Sequence, residues 1–160
     1  MQTTFNIRQF QTDDLDKVMR INQVCLPENY SPDFFIDLHD RFPETFIVAE
    51  EDGKIVGYIM CRIETNFFNL AGSGKKGHVI SVAVLPEHQH KGIGDALLQE
   101  ALKNMQAIYH AKECYLEVRV SNMPAIKLYR KLGFYIKRTL HDYYSDNESA
   151  YMMTKKFNTP

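Results

Sequence analysis

The run from Gly77 to Leu98 constrains the fold most, because it joins a strand, a basic loop and a helix in one short stretch. His78 to Leu85 is rich in β-branched and small residues, the composition of a strand. Pro86 has no N–H to give to a ladder and ends it. The polar loop Glu87–Lys91 carries His88, His90 and Lys91, and Gly92 and Gly94 follow. Beyond them Ile93, Ala96, Leu97, Ala101, Leu102 and Met105 recur at helical spacing, which predicts a helix to about Tyr109. Such a junction suits a phosphate. The first turn of a helix has unpaired N–H groups and the positive end of the dipole, and glycines let an anion come close. Two common phosphate devices are excluded by the sequence itself. Leu97 stands where a dinucleotide fingerprint has its third glycine, and no Gly-Lys-Ser/Thr follows the loop. The alternative is a glycine-softened turn with no ligand.

The rest of the chain sets the frame. Its 160 residues, 44% hydrophobic and 24% charged, predict one globular domain over residues 1–160. A chain of that size buries about 70% of its unfolded surface. A net charge of −1 gives no global reason to expect nucleic acid or a membrane as partner. The three cysteines, Cys25, Cys61 and Cys114, are far apart and outside any Cys-x-x-Cys unit. Buried small hydrophobes are the better reading than zinc or disulfides, and no metal site is expected. Met1 to Asn6 lacks a basic, then apolar, leader, and no apolar run approaches the ~18 residues of a membrane helix. A soluble, cytoplasmic protein is expected.

Taken in order, Phe5, Ile7 and Phe10 suggest a first strand. Thr12 is read as the cap of a helix opening on Asp13, Asp14 and Asp16 and running to Leu26, before Pro27. Ser31 and Pro32 start a second helix with Phe34, Phe35 and Leu38 on its apolar face. Phe46–Glu50 and Lys54–Ile63 form a hairpin about Asp52-Gly53, and Asn66–Lys76 reads as a surface loop. After the opening stretch come a strand at Glu113–Val120, a helix from Asn122 through Leu132 ended by Gly133, and strands at Phe134–Tyr144 and Glu148–Phe157. Asn158–Pro160 reads as a frayed tail. The order βααβββαβαββ predicts an α/β or α+β fold, a mixed sheet of about seven strands with helices on both faces.

Gln89-His90-Lys91-Gly92-Ile93-Gly94 resembles the acetyl-CoA motif Gln/Arg-x-x-Gly-x-Gly/Ala of the GCN5-related N-acetyltransferases, whose mixed, mostly antiparallel, splayed sheet has this element order. Leu116–Asn122 with Ala125–Phe134 is similar to the second half of that family's cofactor site, closest to N-terminal protein acetyltransferases, including the ribosomal-protein alanine acetyltransferases. Leu26–Tyr30 and Tyr143–Tyr151 resemble substrate loops of the catalytic subunit of the N-terminal acetyltransferase A complex and its archaeal single-chain relatives. The resemblance implies acetyl-CoA as cosubstrate, protein or peptide N-termini as acceptors, and a ribosome or an auxiliary subunit as a further partner. It implies that the backbone of Val82, Ala83 and Val84 lies along the pantetheine arm, and that amides of Gln89, His90, Lys91, Gly92, Ile93, Gly94 and Asp95 hold the pyrophosphate. Asn122 would bond the pantetheine and Tyr129 lie near the sulfur. His90-Lys91 replaces the Arg-Arg of many relatives, which weakens a contact needing a second guanidinium but spares the backbone amides.

Acetyl transfer needs a neutral amine and then a proton for the departing thiolate. An α-amino group has a pKa of about 7.7–8.0, so a modest base suffices. Periodicity alone makes Glu117 an outward-facing strand glutamate, opposite Leu116 and Val118; the resemblance makes it the general base. Tyr129 is the candidate acid or else a core tyrosine. His78 shares the base role through water or is a strand-edge histidine. Glu28, Tyr30, Tyr143 and Tyr144 are read as a clamp on the peptide's first residues, the tyrosines being rigid with a polar tip. With no cysteine in an obvious activated position, direct transfer in a ternary complex is expected. The alternatives are a small amine or internal lysine as acceptor, and a non-catalytic acyl-CoA-binding module.

Overall fold

A computed structural model describes residues 4–65 and 74–158. Its elements are β1 (Phe5–Gln9), α1 (Leu15–Cys25), α2 (Pro32–Arg41), β2 (Phe46–Glu51), β3 (Lys54–Thr65), β4 (Lys75–Val84), α3 (Ile93–Ala107), β5 (Ala111–Arg119), α4 (Met123–Lys131), β6 (Tyr135–Leu140) and β7 (Ala150–Lys156). The seven strands form one sheet in the order β1-β2-β3-β4-β5-β7-β6, antiparallel except for β4 and β5. Each face carries its own core. Val18 and Ile21 of α1 with Phe35 and Leu38 of α2 pack on Phe46, Val48, Tyr58 and Met60. Leu97, Ala101 and Met105 of α3 with Ile126 and Tyr129 of α4 pack on Ile47, Ile59, Val79, Cys114, Leu116 and Val118. The expected mixed sheet with helices on both faces is what forms.

Two features shape the middle of the sheet. β4 and β5 pair only from Lys75↔Ala111 to His78↔Tyr115, after which the strands part. Opposite β3, Met60 pairs with Ser81 and Cys61 with Val79, so Ile80 is the extra residue of a bulge beside the parting. α3 lies close over the root of β4, where a Cβ on Gly77 would come within 2.3 Å of the Met105 sulfur. A side chain there would force Met105 to move.

Ser31 caps α2 as expected, its hydroxyl accepting from Phe34 N–H at 3.3 Å, with Pro32 in the first turn. The first helix starts differently. Thr12–Asp14 form a 3-10 turn, and the Asp14 carboxylate, not Thr12, accepts the Gln11 N–H at 2.9 Å while pairing with Arg8 at 2.8 Å. Arg8 draws the acid inward, and the turn precedes the helix. β4 begins at Lys75, earlier than the alternation suggests, because Lys75 and Lys76 pair with Thr65 and Glu64. The rest of the predicted 66–76 loop, residues 66–73, lies outside the described residues, as do Thr159 and Pro160. β6 ends at Leu140 rather than Tyr144, since Asp142 takes a left-handed φ of 52° and breaks the ladder. Residues 141–149 form a loop instead.

Candidate active site

The parting of β4 and β5 brings sequence-distant groups together. On β5, Tyr115, Glu117 and Arg119 point to the face opposite Cys114, Leu116 and Val118, as strand alternation requires. His78, the last β4 residue paired with β5, is buried and donates or accepts at both ring nitrogens: Nε2 lies 2.8 Å from Glu117 Oε2, and Nδ1 2.9 Å from Glu64 Oε2. The expected neighbourhood of His78 and Glu117 is therefore present in the structure. An open cavity of about 470 Å³ reaches Glu117, Tyr115 and Glu64 between the end of β3 and strands β6 and β7.

The loops above Glu117 carry the four residues read as a substrate clamp. Tyr30 follows α1, stacks on Phe34 at 4.9 Å and donates its hydroxyl to Ile80 O at 3.4 Å, the carbonyl of the bulge. Buried Asn22 shapes this loop: its amide donates to Glu28 O at 3.0 Å and its oxygen accepts from Tyr30 N–H at 3.4 Å. Tyr143 and Tyr144 meet edge to face at 4.9 Å. Burial, with Glu28, Glu117 and one another as neighbours, pushes the hydroxyls of Tyr30, Tyr143 and Tyr144 up from their ordinary value. They stay protonated donors.

Glu28 is not free. Its Oε1 accepts from Arg119 Nη2 at 2.8 Å, and the same guanidinium reaches Asp146 and Glu148 at 2.9 Å each and covers the Tyr144 ring at 4.0 Å. Arg119 thus ties the α1–α2 loop to the β6–β7 loop across the mouth of the site. Sequence reasoning missed Arg119, Tyr115 and Glu64. The period-2 series Tyr115, Glu117, Arg119 was the available signal for the first two; Glu64 gave none, because its partner is fixed only by the β3–β4 register.

Behind the sheet lies the junction read as an anion cradle. Gly92 has φ 87° with open space about its Cα, and the first closed turn of α3 is Ala96 N–H to Gly92 O at 3.0 Å. The N–H groups of the first helical turn are thus left for an outside acceptor. Gln89 is turned inward instead: its N–H meets Pro86 O at 3.3 Å and its side-chain amide meets Val84 O at 2.9 Å. Lys91 and His88 both hold Glu51, at 2.7 and 2.9 Å, pinning the loop to the β2–β3 hairpin, and Asp95 pairs with Lys131 at 2.8 Å. His90 holds a left-handed φ of 64°.

Val82, Ala83 and Val84 lie beyond the last β4–β5 pair, so no strand pairs with their β5-facing backbone edge, where Val84 O accepts from the Gln89 side chain. Asn122 caps α4 through its oxygen, which accepts from Ala125 N–H at 3.3 Å and leaves its NH₂ as a donor. Tyr129 sits in the core on the other face of the sheet from Glu117, 5.9 Å from the Phe134 ring, and burial pushes its hydroxyl up to about 12.

The model of the acetyltransferase (GNAT) family matches residues 15–134. The chain belongs to that family. It is an acetyltransferase, and acetyl-CoA is its cosubstrate. This GNAT chain is 50% identical over 152 residues to the N-alpha-acetyltransferase of Sulfurisphaera tokodaii, covering 93% of this chain and 91% of the relative. Among solved structures, Ard1 from Thermoplasma volcanium superposes with a TM-score of 0.83 at 32% identity, covering 97% of this chain and 99% of that one. Arabidopsis thaliana Naa50 in complex with the bisubstrate analogue CoA-Ac-MVNAL superposes with a TM-score of 0.84 at 26% identity, covering 96% and 99%. The GNAT cradle fits the cosubstrate on its own chemistry: free helix-turn amides and an uncrowded glycine suit a pyrophosphate, and a strand edge without a neighbouring strand suits an amide-bearing arm.

Proposed function

We propose that the chain is an N-terminal (α-amino) protein acetyltransferase that transfers the acetyl group directly in a ternary complex. The observation that carries this reading is Glu117 at the parting of β4 and β5, bonded to His78 and roofed by Tyr30, Tyr143 and Tyr144. A groove walled by rigid tyrosines admits an extended chain end, and the carboxylate at its floor meets the amine. The N-alpha-acetyltransferase relative and the peptide-bearing analogue on Naa50 support a peptide as acceptor.

In this reading Glu117 takes the proton from the incoming ammonium, directly or through one water from the cavity. The amine nitrogen then bonds to the acetyl carbonyl carbon, gives its remaining extra proton to water, and the C–S bond breaks as the tetrahedral centre collapses. Tyr129, protonated by virtue of its burial, gives the departing thiolate its proton. Amides of Gly92 to Asp95 hold the pyrophosphate, Val82 to Val84 align the arm, and Asn122 donates to it through its NH₂. Cys61 and Cys114 are buried with thiols pushed up, which disfavours a cysteine acyl intermediate. Incubation with acetyl-CoA and peptides bearing free N-termini tests the reading. Acetylation at the α-amine supports it; acetylation only of a lysine side chain or a polyamine overturns it.

A further inference from the structure

His78 stands between two carboxylates, and only one of them has a part in the chemistry above. Ionised carboxylates accept hydrogen bonds and cannot donate. Contacts of 2.8 Å to Glu117 and 2.9 Å to Glu64 hold the ring at both of its nitrogens. Beside Glu117 alone, the imidazole would be held at Nε2 only and could turn about that contact. The second carboxylate removes that freedom. Glu64 is itself held in place: Arg62 Nε donates to its Oε2 at 2.7 Å and the Tyr115 hydroxyl donates to its Oε1. The Tyr115 ring also lies flat on the imidazole, 4.1 Å between centroids and 17° between planes. Edge and face of His78 are both fixed.

We propose that Glu64 is a positioning residue for the reaction, holding the His78 ring at Nδ1 so that Nε2 keeps the Glu117 carboxylate aimed. The inference rests on Glu117 being the base. Burial alone would raise the Glu64 carboxyl, and the hydrogen bonds from Tyr115, Arg62 and His78 outweigh it and lower the carboxyl below its ordinary value, so Glu64 remains a charged acceptor. This is the logic of a carboxylate orienting a catalytic histidine, with the histidine in turn orienting a second carboxylate.

The test is Glu64→Gln, which keeps the shape and removes the charge. Expected are a fall in kcat of roughly ten- to a hundredfold, the scale seen when an outer partner that orients a histidine is lost, and little change in KM for peptide or in acetyl-CoA affinity. In the Glu117→Gln background the same change should cost nothing further, since Glu64 acts through Glu117. Nitrogen NMR of the ligand-free protein should show the His78 ring-nitrogen signals shifted between wild type and Glu64→Gln, because Nδ1 loses its carboxylate partner. Tyr115→Phe, which frees Glu64 but keeps the stack, should give a smaller kcat loss and serves should Glu64→Gln fail to fold. An unchanged kcat, an equal loss in the Glu117→Gln background, or an unaltered ring spectrum would each overturn the proposal. If the wild type acetylated no peptide α-amine, the acceptor reading would fall, while the His78 spectrum would still decide the role of Glu64.

Discussion

Glu117 shows how a single side chain acquires a function from its address. Mid-strand, between two buried apolar residues, it faces away from the core by alternation alone. What turns an outward-facing glutamate into a candidate base is the parting of β4 and β5 beside it and the His78 ring at 2.8 Å. Replacing it by Gln should lower kcat by ~10²–10⁴, the usual span for a general base, with acetyl-CoA affinity by calorimetry unchanged. Tyr129→Phe should also lower kcat, and because the hydroxyl stays protonated to about 12, wild-type activity should not fall on its account below that pH. At the mouth, Arg119 binds three carboxylates and one ring. Each exposed pair contributes only ~0.2–1 kcal/mol, but they share one guanidinium. Arg119→Ala should free Glu28, loosen residues 141–149 in hydrogen exchange, and raise peptide KM roughly tenfold, about 1.4 kcal/mol, with kcat less affected.

Elements differ in how much of them can be read from letters. Ser31-Pro32, Asp52-Gly53 and the Gly92–Met105 periodicity each carry a local physical reason for the structure that forms, and each element appears where that reason puts it. The misses have a common cause. Asp14 displaced Thr12 at the first helix because Arg8, six residues earlier on β1, pairs with it, and β6 stops short at the left-handed Asp142, in a loop tied to Arg119. Side-chain partners and backbone turns outside each element decide these ends, and hydrophobic periodicity does not reveal them. The same holds for the site: Glu117 and His78 could be named, whereas Glu64 becomes visible only once β3 is in register with β4. Packing between elements is equally hidden. Gly77→Ala would drive a methyl into the Met105 sulfur at the α3–β4 contact and should destabilise the fold by about 1–3 kcal/mol, read from chemical denaturation.

In the proposed reading the chemistry lies where β4 and β5 part. The sheet has a helical layer on each face, and that reading puts the cosubstrate cradle on one face and the acceptor on the other, joined at the gap. Opposite that gap, the β1 edge is fastened by Arg8, which bridges Asp14 and Glu50 at 2.8 and 2.6 Å. The Arg8 guanidinium, with the Gln11 N–H, holds the Asp14 carboxyl below its ordinary value despite burial. A lowered carboxyl stabilises the fold above its unfolded pKa of about 3.9 and loses that contribution as pH falls through the folded value. Asp14→Asn should therefore lower Tm at neutral pH, and the gap to wild type should close on acidification below about pH 4. The central claim concerns the acceptor, and it is tested most directly by mass spectrometry of peptides with free and with blocked N-termini after incubation with acetyl-CoA and either wild type or Glu117→Gln. The account predicts one acetyl group on the α-amine of free peptides, none on blocked ones, and little product with the variant. Acetylation of blocked peptides at lysine, or undiminished turnover without Glu117, would contradict it.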